Sequence, residues 1–288
     1  MGRGATALVV ERLDASFGAV VRGVELAHAS DAVIVELTEL WAEHALLVFP
    51  AQHLTRDEQD VFARRFGELE FTATALTNIQ RDGSLRPVEH DLSKSLRGNE
   101  RWHHDSTFMP VMAAGAVFTA EIVPDDGGDT GFADMRAAYD ALDDVTREQV
   151  AGLAAHHSRR YSMDRADLHV DPDDAERHQL YGMTGEHRPP LRPLVKVHPV
   201  TGRPNLLIGQ HAHAIPGLTA DESEALLDRL DAEACVAPRT YHHRWTVGDA
   251  LLWDNRRLMH RATPHDPAQA RRMWHTRIAG DPVADAGL

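Results

Sequence analysis

The sequence predicts a mainly β protein, an antiparallel sandwich or barrel with helices packed on its outside. Short apolar segments recur through the second half of the chain, separated by glycine and proline turns. They do not alternate one by one with amphipathic helices, as the strands of a parallel α/β fold would. The 288 residues include 43% hydrophobic residues, enough to bury a sizeable core. Because no repeat and no linker divides the chain, we expect a single domain over residues 1–288.

Two helices flank a buried strand in the N-terminal part of the chain. Apolar residues recur at helical spacing from Asp31 to His44, which predicts the first helix. Thr55 begins the second helix, because Glu58 stands three positions further on and completes a capping box. The apolar segment Leu46–Phe49 lies between the two helices and predicts a strand that is buried on both faces.

The later elements are mostly short strands. They are predicted at residues 115–123, 194–197, 205–208, 239–245, 250–253 and 271–278, with helices at residues 135–142, 146–153 and about 220–234. Residues from about 160 to 190 carry Asp, His, Gly and Pro with little periodicity. Such a long segment in a compact domain predicts a loop, which we interpret as a lid-like insertion.

Composition excludes several classes of protein. The formal net charge of −14 argues against a dedicated nucleic-acid binder, which needs a basic surface. The single cysteine, Cys235, cannot form an intramolecular disulfide, and the chain shows no signal-peptide pattern. Its apolar stretches are far shorter than the roughly 20 residues that span a bilayer. We therefore expect a soluble, cytoplasmic protein with no membrane partner.

The first candidate site residues are His103 and Asp105. In an extended segment side chains alternate between faces, so these two point the same way and His104 points the opposite way. The imidazole of His103 and the carboxylate of Asp105 then lie on the same face of the segment. An H-x-D triplet alone is a weak signal, because a hydrogen-bonded pair or two surface residues would look the same.

A second histidine, His260, follows a turn and an apolar strand in residues 248–262. Two histidines and one carboxylate on one face of an iron form the facial triad of Fe(II) oxygenases. Three protein ligands leave three positions open, which is enough for a bidentate keto acid and O2. His103, Asp105 and His260 are therefore the predicted metal ligands.

An arginine follows His260 by eleven positions. Strand alternation separates this residue, Arg271, from its neighbour Arg272. The face of Arg271 also carries Met273, His275 and Arg277. A guanidinium inside a barrel is costly unless it meets an anion, and its planar fork suits a carboxylate. A dicarboxylate co-substrate would supply that anion, whereas a salt bridge to one of the 44 acidic residues is the structural alternative.

These four residues resemble the pattern of the TauD/TfdA-type Fe(II)/2-oxoglutarate dioxygenases, in which H-x-D precedes a distant histidine and then an arginine. The family also has a threonine after a Gly-Gly-Asp turn, which helps to hold the distal carboxylate of 2-oxoglutarate. The segment Gly-Gly-Asp-Thr ending at Thr130 matches that turn.

The resemblance extends from about residue 18 to residue 280 and is strongest to the bacterial aryloxyalkanoate dioxygenases, including those that act on (S)-2-phenoxypropionates and phenoxyacetates. It rests on long sequence runs rather than on single residues. The runs are HALLVFP at residues 44–50, MPVMAAGAVF at 109–118, FADMRAAYDAL at 132–142, RPLVKVHP at 192–199 and HAHAIPG at 211–217.

The resemblance implies a double-stranded β-helix, the cupin-like jelly-roll barrel, with Fe(II), 2-oxoglutarate and O2 at its open mouth. It implies that Arg271 and Thr130 hold the C5 carboxylate of 2-oxoglutarate, which is converted to succinate and CO2. The small-molecule substrate, a carboxylic acid, is hydroxylated; next to an ether oxygen the resulting hemiacetal collapses and the ether is cleaved. Relatives of this kind are often homo-oligomers, so we expect one here.

One departure from the aryloxyalkanoate dioxygenases concerns the substrate. They carry an arginine before the HAHAIPG run, and this chain has Gln210. If that arginine binds the substrate's carboxylate, the substrate here is either a different acid or one that is anchored by another group, such as His275 or Arg277. The remaining candidate substrate residues are Asn99, His211 and His213.

Three alternatives remain. The same chemistry could act on an unrelated small metabolite, such as a sulfonate, an amino acid or a natural-product intermediate. An iron halogenase would need a small residue at the position of Asp105. A non-catalytic metal-binding protein would use a closed zinc site, which favours four ligands and usually several cysteines, and Cys235 stands alone.

Overall fold

The computed structural model describes residues 7–169 and 188–288. The helices are α1 (Asp31–His44), α2 (Arg56–Arg64), α3 (Asp91–Arg97), α4 (Met135–Ala141), α5 (Asp144–Val150), α6 (Arg159–Arg165) and α7 (Ala220–Ala234). The strands are β1 (Val9–Arg12), β2 (Ala19–Arg22), β3 (Leu46–Phe49), β4 (Leu69–Thr77), β5 (Gly115–Ile122), β6 (Thr130–Asp134), β7 (Ala154–His157), β8 (Leu191–Pro193), β9 (Val195–Val197), β10 (Pro204–Leu206), β11 (Ala212–His213), β12 (Thr240–His243), β13 (Ala250–Asp254), β14 (Leu258–Ala262) and β15 (Arg272–Ile278).

A seven-stranded sheet forms the larger layer, in the order β1-β2-β3-β13-β5-β15-β4. A three-stranded sheet, β12-β6-β14, carries the other half of the site, and two small sheets, β11-β7-β8 and β10-β9, extend the fold. Among the described strands, only β2 and β3 pair in parallel, and every other pair is antiparallel. The predicted mainly β architecture with outer helices is confirmed.

Aromatic side chains join the two larger sheets. Trp253 of β13 meets Phe118 of β5 and Phe132 of β6 edge to face, with ring centroids 6.1 Å and 5.7 Å apart. All three are buried. Edge-to-face contacts of this kind add to the free energy gained from apolar burial. The inner faces therefore form a packed core on which the site is built.

Helices α1 and α2 cover the outer face of the seven-stranded sheet. Leu37 of α1 and Phe62 of α2 are buried in one cluster with β3 and β13. The buried amide of Gln59 bonds the carbonyls of Val117 and Trp274, at 3.1 Å and 3.0 Å. This polar contact ties α2 to β5 and β15, the strand that carries several of the candidate site residues.

The local sequence signals are confirmed at several elements. Helices α1 and α7 and strand β3 span the predicted residues. The capping box is present, since the Glu58 amide donates to Thr55 Oγ1 at 3.3 Å and the Thr55 amide donates to Glu58 Oε2 at 2.8 Å. Strand β4 was not predicted, because most of its residues are half-buried and no apolar alternation marks it.

The prediction of a loop from about residue 160 is wrong at its start. Helix α6 occupies the first residues, and its N-terminus is capped by Ser158, whose Oγ accepts from the Tyr161 amide at 3.1 Å. Residues 170–187 lie outside the described part of the chain, so the lid interpretation of that stretch stays a prediction. None of the helices described is at once long and apolar enough to cross a membrane.

Candidate active site

Backbone pairing brings the two candidate histidine ligands together. The His103 amide donates to the His260 carbonyl at 3.0 Å, and the His260 amide donates to the His103 carbonyl at 2.8 Å. Their rings lie 4.3 Å apart between centroids. His260 belongs to β14, which pairs with β6. The two hydrogen bonds between His103 and His260 therefore hold the H-x-D segment against the three-stranded sheet β12-β6-β14.

Asn255 fixes the backbone of the candidate carboxylate ligand. Its Oδ1 accepts from the Asp105 amide at 2.7 Å, and its Nδ2 donates to the Asp105 carbonyl at 3.0 Å. The side chain of Asn255 is fully buried, so these bonds are shielded from water. The turn between β13 and β14, which precedes His260, therefore also positions Asp105.

His103, Asp105 and His260 each offer one ligand atom, and these atoms lie within 4.8 Å of one another. His103 Nδ1 contacts the Arg101 carbonyl at 2.8 Å, which leaves Nε2 with the lone pair that a metal needs. Asp105 Oδ2 is buried and makes no hydrogen bond within the described residues, although a buried carboxylate oxygen normally has a partner. The three side chains therefore fit a divalent cation.

Two further side chains of β15 face the candidate ligand carboxylate. His275 Nε2 lies 3.4 Å from Asp105 Oδ2, and Arg277 Nε lies 3.8 Å from Asp105 Oδ1. Arg277 also donates to Ser106 Oγ at 2.7 Å. Burial raises the pKa of Asp105, but the opposing charge of Arg277 is the largest effect in the other direction, and this pKa lies well below its usual range. Asp105 is therefore the anionic member of the site.

His104 lies away from the ligand cluster, as strand alternation predicts. Its Nδ1 contacts the Asn255 carbonyl at 2.7 Å, and the ring is buried. Burial lowers the pKa of His104 to about 4, so the ring is neutral at physiological pH. It therefore donates from Nδ1 to Asn255, the residue that holds Asp105.

Replacement of His104 by alanine is expected to reduce stability but not metal binding. The lost bond leaves a buried carbonyl unsatisfied, which costs about 1–3 kcal/mol. Urea unfolding measures the first effect and calorimetric titration with Mn(II) the second. A variant that unfolds like the wild type but no longer binds Mn(II) would instead place His104 among the ligands.

Arg271 and Thr130 lie beside a turn made of two glycines, Gly127 and Gly128. Arg271 Nη2 donates to the Gly128 carbonyl at 3.0 Å, and Thr130 Oγ1 accepts from Trp245 Nε1 at 3.0 Å. A Cβ on Gly128, whose φ is +69°, would come within 3.1 Å of Arg271 Nε. The turn thus requires glycine both for its left-handed backbone and for the space that the guanidinium occupies.

The guanidinium of Arg271 is almost fully buried, yet its Nε has no hydrogen-bond partner within the described residues. Burial lowers the pKa of Arg271 to about 10, against the opposing charge of Asp129, and the group stays protonated at neutral pH. Arg272, on the other face of the strand, pairs with Glu121 at 3.0 Å in a partly exposed position. The alternation predicted for this strand is therefore present.

One cavity of about 340 Å³ connects these groups. Its walls include the candidate metal ligands, Arg271 and Thr130. Of the predicted substrate residues, Asn99, His211, His275 and Arg277 line it. The volume falls in the range of about 300–1,000 Å³ that is usual for small-molecule sites.

Gln210 and His213, also predicted to contact substrate, do not belong to the lining of this cavity. The side-chain Nε2 of Gln210 donates to the carbonyl of Gly98, the residue before Asn99, at 2.8 Å. His213 stacks on Tyr161, with ring centroids 4.5 Å apart. Their roles in substrate binding stay predictions.

Several residues of the cavity were missed by sequence reasoning. The end of β4 and the segment that continues to Glu100 form much of one wall, with Arg86, Leu96 and Arg97 among its residues. Arg159 and Phe108 contribute to another part. The N-cap signal of Ser158 could have located the helix that begins at Arg159, whereas nothing local marks Arg86 as a cavity residue.

The comparisons with known proteins agree with this geometry. Residues 10–278 match the family model described as taurine catabolism dioxygenase TauD, TfdA family. The chain is 57% identical to an (S)-phenoxypropionate/alpha-ketoglutarate-dioxygenase of Sphingobium herbicidovorans, covering 96% of each chain. It is 34% identical to an alpha-ketoglutarate-dependent 2,4-dichlorophenoxyacetate dioxygenase of Cupriavidus pinatubonensis, covering 96% of this chain and 99% of the relative.

A solved structure supports the fold. The crystal structure of AAD-2 in complex with Mn(II) and N-oxalylglycine superposes with a TM-score of 0.86 at 33% identity, covering 96% of this chain and 98% of that one. The jelly-roll prediction is thereby confirmed.

Proposed function

The chain belongs to the TauD/TfdA family and is a 2-oxoglutarate-dependent dioxygenase, and we propose that it cleaves the ether bond of aryloxyalkanoic acids such as (S)-2-phenoxypropionate. The observation that carries the proposal is that the His103–Asp105–His260 cluster and the Arg271–Thr130 pair open onto one cavity. The 57% identity to a phenoxypropionate dioxygenase supports the substrate class.

We propose Fe(II) as the metal, held by His103, Asp105 and His260. A cluster of two histidines and one carboxylate with open positions suits non-haem Fe(II) and 2-oxoglutarate. When bound, the iron supplies the oxygen chemistry that converts 2-oxoglutarate to succinate and CO2 and hydroxylates the substrate. Homo-oligomeric assembly and a cytoplasmic location stay predictions.

The chain's own residues orient the two organic acids. Arg271 and Thr130 hold the C5 carboxylate of 2-oxoglutarate, through the buried guanidinium and the hydroxyl that Trp245 orients. Apolar residues such as Phe108 and Leu96 give the aryl group a dry surface. Hydroxylation at the carbon next to the ether oxygen gives a hemiacetal, which collapses to a phenol and a 2-oxo acid.

The test is a succinate-release assay with anaerobically iron-loaded protein. Candidate substrates are the two enantiomers of 2-phenoxypropionate, phenoxyacetate and taurine. We expect succinate and phenol to be released together with at least one aryloxy acid and little release with taurine. Succinate release stimulated by taurine, without phenol release from any aryloxy acid, would instead support the sulfonate alternative.

A further inference from the structure

More arginines line the cavity than the binding of 2-oxoglutarate requires. In a chain whose net charge is −14, its walls carry Arg86, Arg97, Arg159, Arg271 and Arg277. Arg271 lies beside the Gly128 turn, and Arg277 contacts Ser106 and Asp105. The other three guanidiniums also line the cavity, so each is placed to contact a second anion.

Arg159 is the most deeply buried of these three. It is the first residue of α6, and only 6% of its surface is exposed. Its guanidinium carbon lies 5.9 Å from the centroid of the Phe108 ring, another cavity residue. The Phe108 ring lies 5.0 Å from the His211 ring between centroids, and the His211 ring lies 5.8 Å from that of His103. Arg159 is thus connected to His103 through two contacting rings, whereas Arg271 bonds the turn of two glycines.

We propose that Arg159 binds the carboxylate of the substrate and thereby sets the preference for acids over neutral aryl ethers. This inference rests on the proposed function, in which two organic acids occupy one cavity. Two anions in one cavity are best held by separate cations, and Arg159 lies near Phe108 whereas Arg271 lies beside the turn of two glycines. A planar guanidinium can meet a carboxylate with two parallel hydrogen bonds.

His211 is the nearest alternative, and its hydrogen bonds argue against it. The Ser162 hydroxyl donates to the Arg159 carbonyl at 2.7 Å and contacts His211 Nδ1 at 2.9 Å. A hydroxyl has one hydrogen, so Nδ1 must donate to Ser162 Oγ. Nε2 of the neutral ring then carries a lone pair and cannot donate to a carboxylate. The Ser162 contacts therefore favour Arg159 as the anchor.

Phe108 would place the rest of the substrate. Its ring contacts both Arg159 and His211, with a ring-centroid separation of 5.0 Å from His211. An acid anchored at Arg159 therefore has an aromatic surface within a few ångströms of its carboxylate. This spacing fits an aryloxyalkanoate, whose ring and carboxylate are separated by only a short chain.

The experiment compares an acid with its neutral amide. Calorimetry measures the binding of (S)-2-phenoxypropionate and 2-phenoxypropionamide to protein loaded with Mn(II) and N-oxalylglycine. Arg159→Met should weaken binding of the acid about thirtyfold or more, the effect of losing a desolvated charge partner, and leave the amide little changed. Arg159→Lys should partly restore acid binding, because it keeps the charge but loses the planar fork.

Arg160→Met is the matched control, since that side chain is 81% exposed and lies 3.7 Å from Asp164 on the same helix. It should bind both probes like the wild type. Equal weakening of acid and amide by Arg159→Met would overturn the anchor and assign Arg159 a structural role. A wild type that binds the acid but releases no phenol with Fe(II) and 2-oxoglutarate would overturn the proposed function and not the anchor. Absence of acid binding by the wild type would overturn both.

Discussion

Replacement of Asp105 or His260 by alanine is expected to abolish turnover and to weaken metal binding by more than about a hundredfold. Changes in residues that only orient metal ligands already cost about 10–100-fold, and each of these substitutions removes a ligand itself. The effect should be large for Asp105 in particular, because it is the only carboxylate of the cluster. Calorimetric titration with Mn(II) measures the metal affinity, and succinate release measures turnover.

The His104→Ala variant is the control for this experiment. His104 stands between two ligands in the sequence, but its replacement leaves all three ligand side chains in place. The variant should therefore bind Mn(II) with the affinity of the wild type and unfold at a lower urea concentration. Near-native Mn(II) affinity in Asp105→Ala or His260→Ala would remove that residue from the metal site. The comparison separates loss of a ligand from loss of stability.

The residues that sequence reasoning located share a local signal. His103 and Asp105 stand two apart, and Arg271 was preferred to Arg272 because alternate residues of a strand face opposite ways. Both arguments need only backbone geometry within a few residues. The structure places Arg271 in the cavity and Arg272 at the surface beside Glu121.

The residues that were missed depend on contacts between distant segments. Asn255 bonds the backbone of Asp105 across 150 positions, and no pattern around residue 255 indicates that partner. Arg159 follows a serine cap like many surface arginines, and it becomes a cavity residue only because α6 packs near Phe108. Sequence pattern therefore predicted the ligand set better than the groups that position it or select its substrate.

The shape of the cavity was the least predictable feature for the same reason. A lid was expected from about residue 160, whereas one wall of the described cavity comes from the end of β4 and the segment that continues to Glu100. That segment has weak periodicity, and its position is set by contacts such as the Asn78 side chain, whose Oδ1 accepts from the Arg271 amide at 2.9 Å. The same wall thus supports the arginine that is expected to bind the co-substrate.

Replacement of Arg271 by alanine is expected to raise the 2-oxoglutarate concentration needed for half-maximal succinate release by roughly thirtyfold to several thousandfold. Loss of a charge-assisted partner in a desolvated site costs about 2–5 kcal/mol, which converts to that range. The guanidinium is nearly fully buried, and its Nε has no hydrogen-bond partner in the described part of the chain, so a carboxylate placed there would complete its bonding.

Arg272→Ala provides the matched control, one position further along the chain, where β15 begins. Its guanidinium pairs with Glu121 in a partly exposed position, and such pairs contribute only about 0–1 kcal/mol. The 2-oxoglutarate requirement of the Arg272→Ala variant should therefore stay close to that of the wild type. Titration of 2-oxoglutarate at a fixed Fe(II) concentration compares the two variants directly. If Arg272→Ala raised the requirement and Arg271→Ala did not, the carboxylate of the co-substrate would be held from the other face of β15, and the Gly128 turn would have no part in binding it.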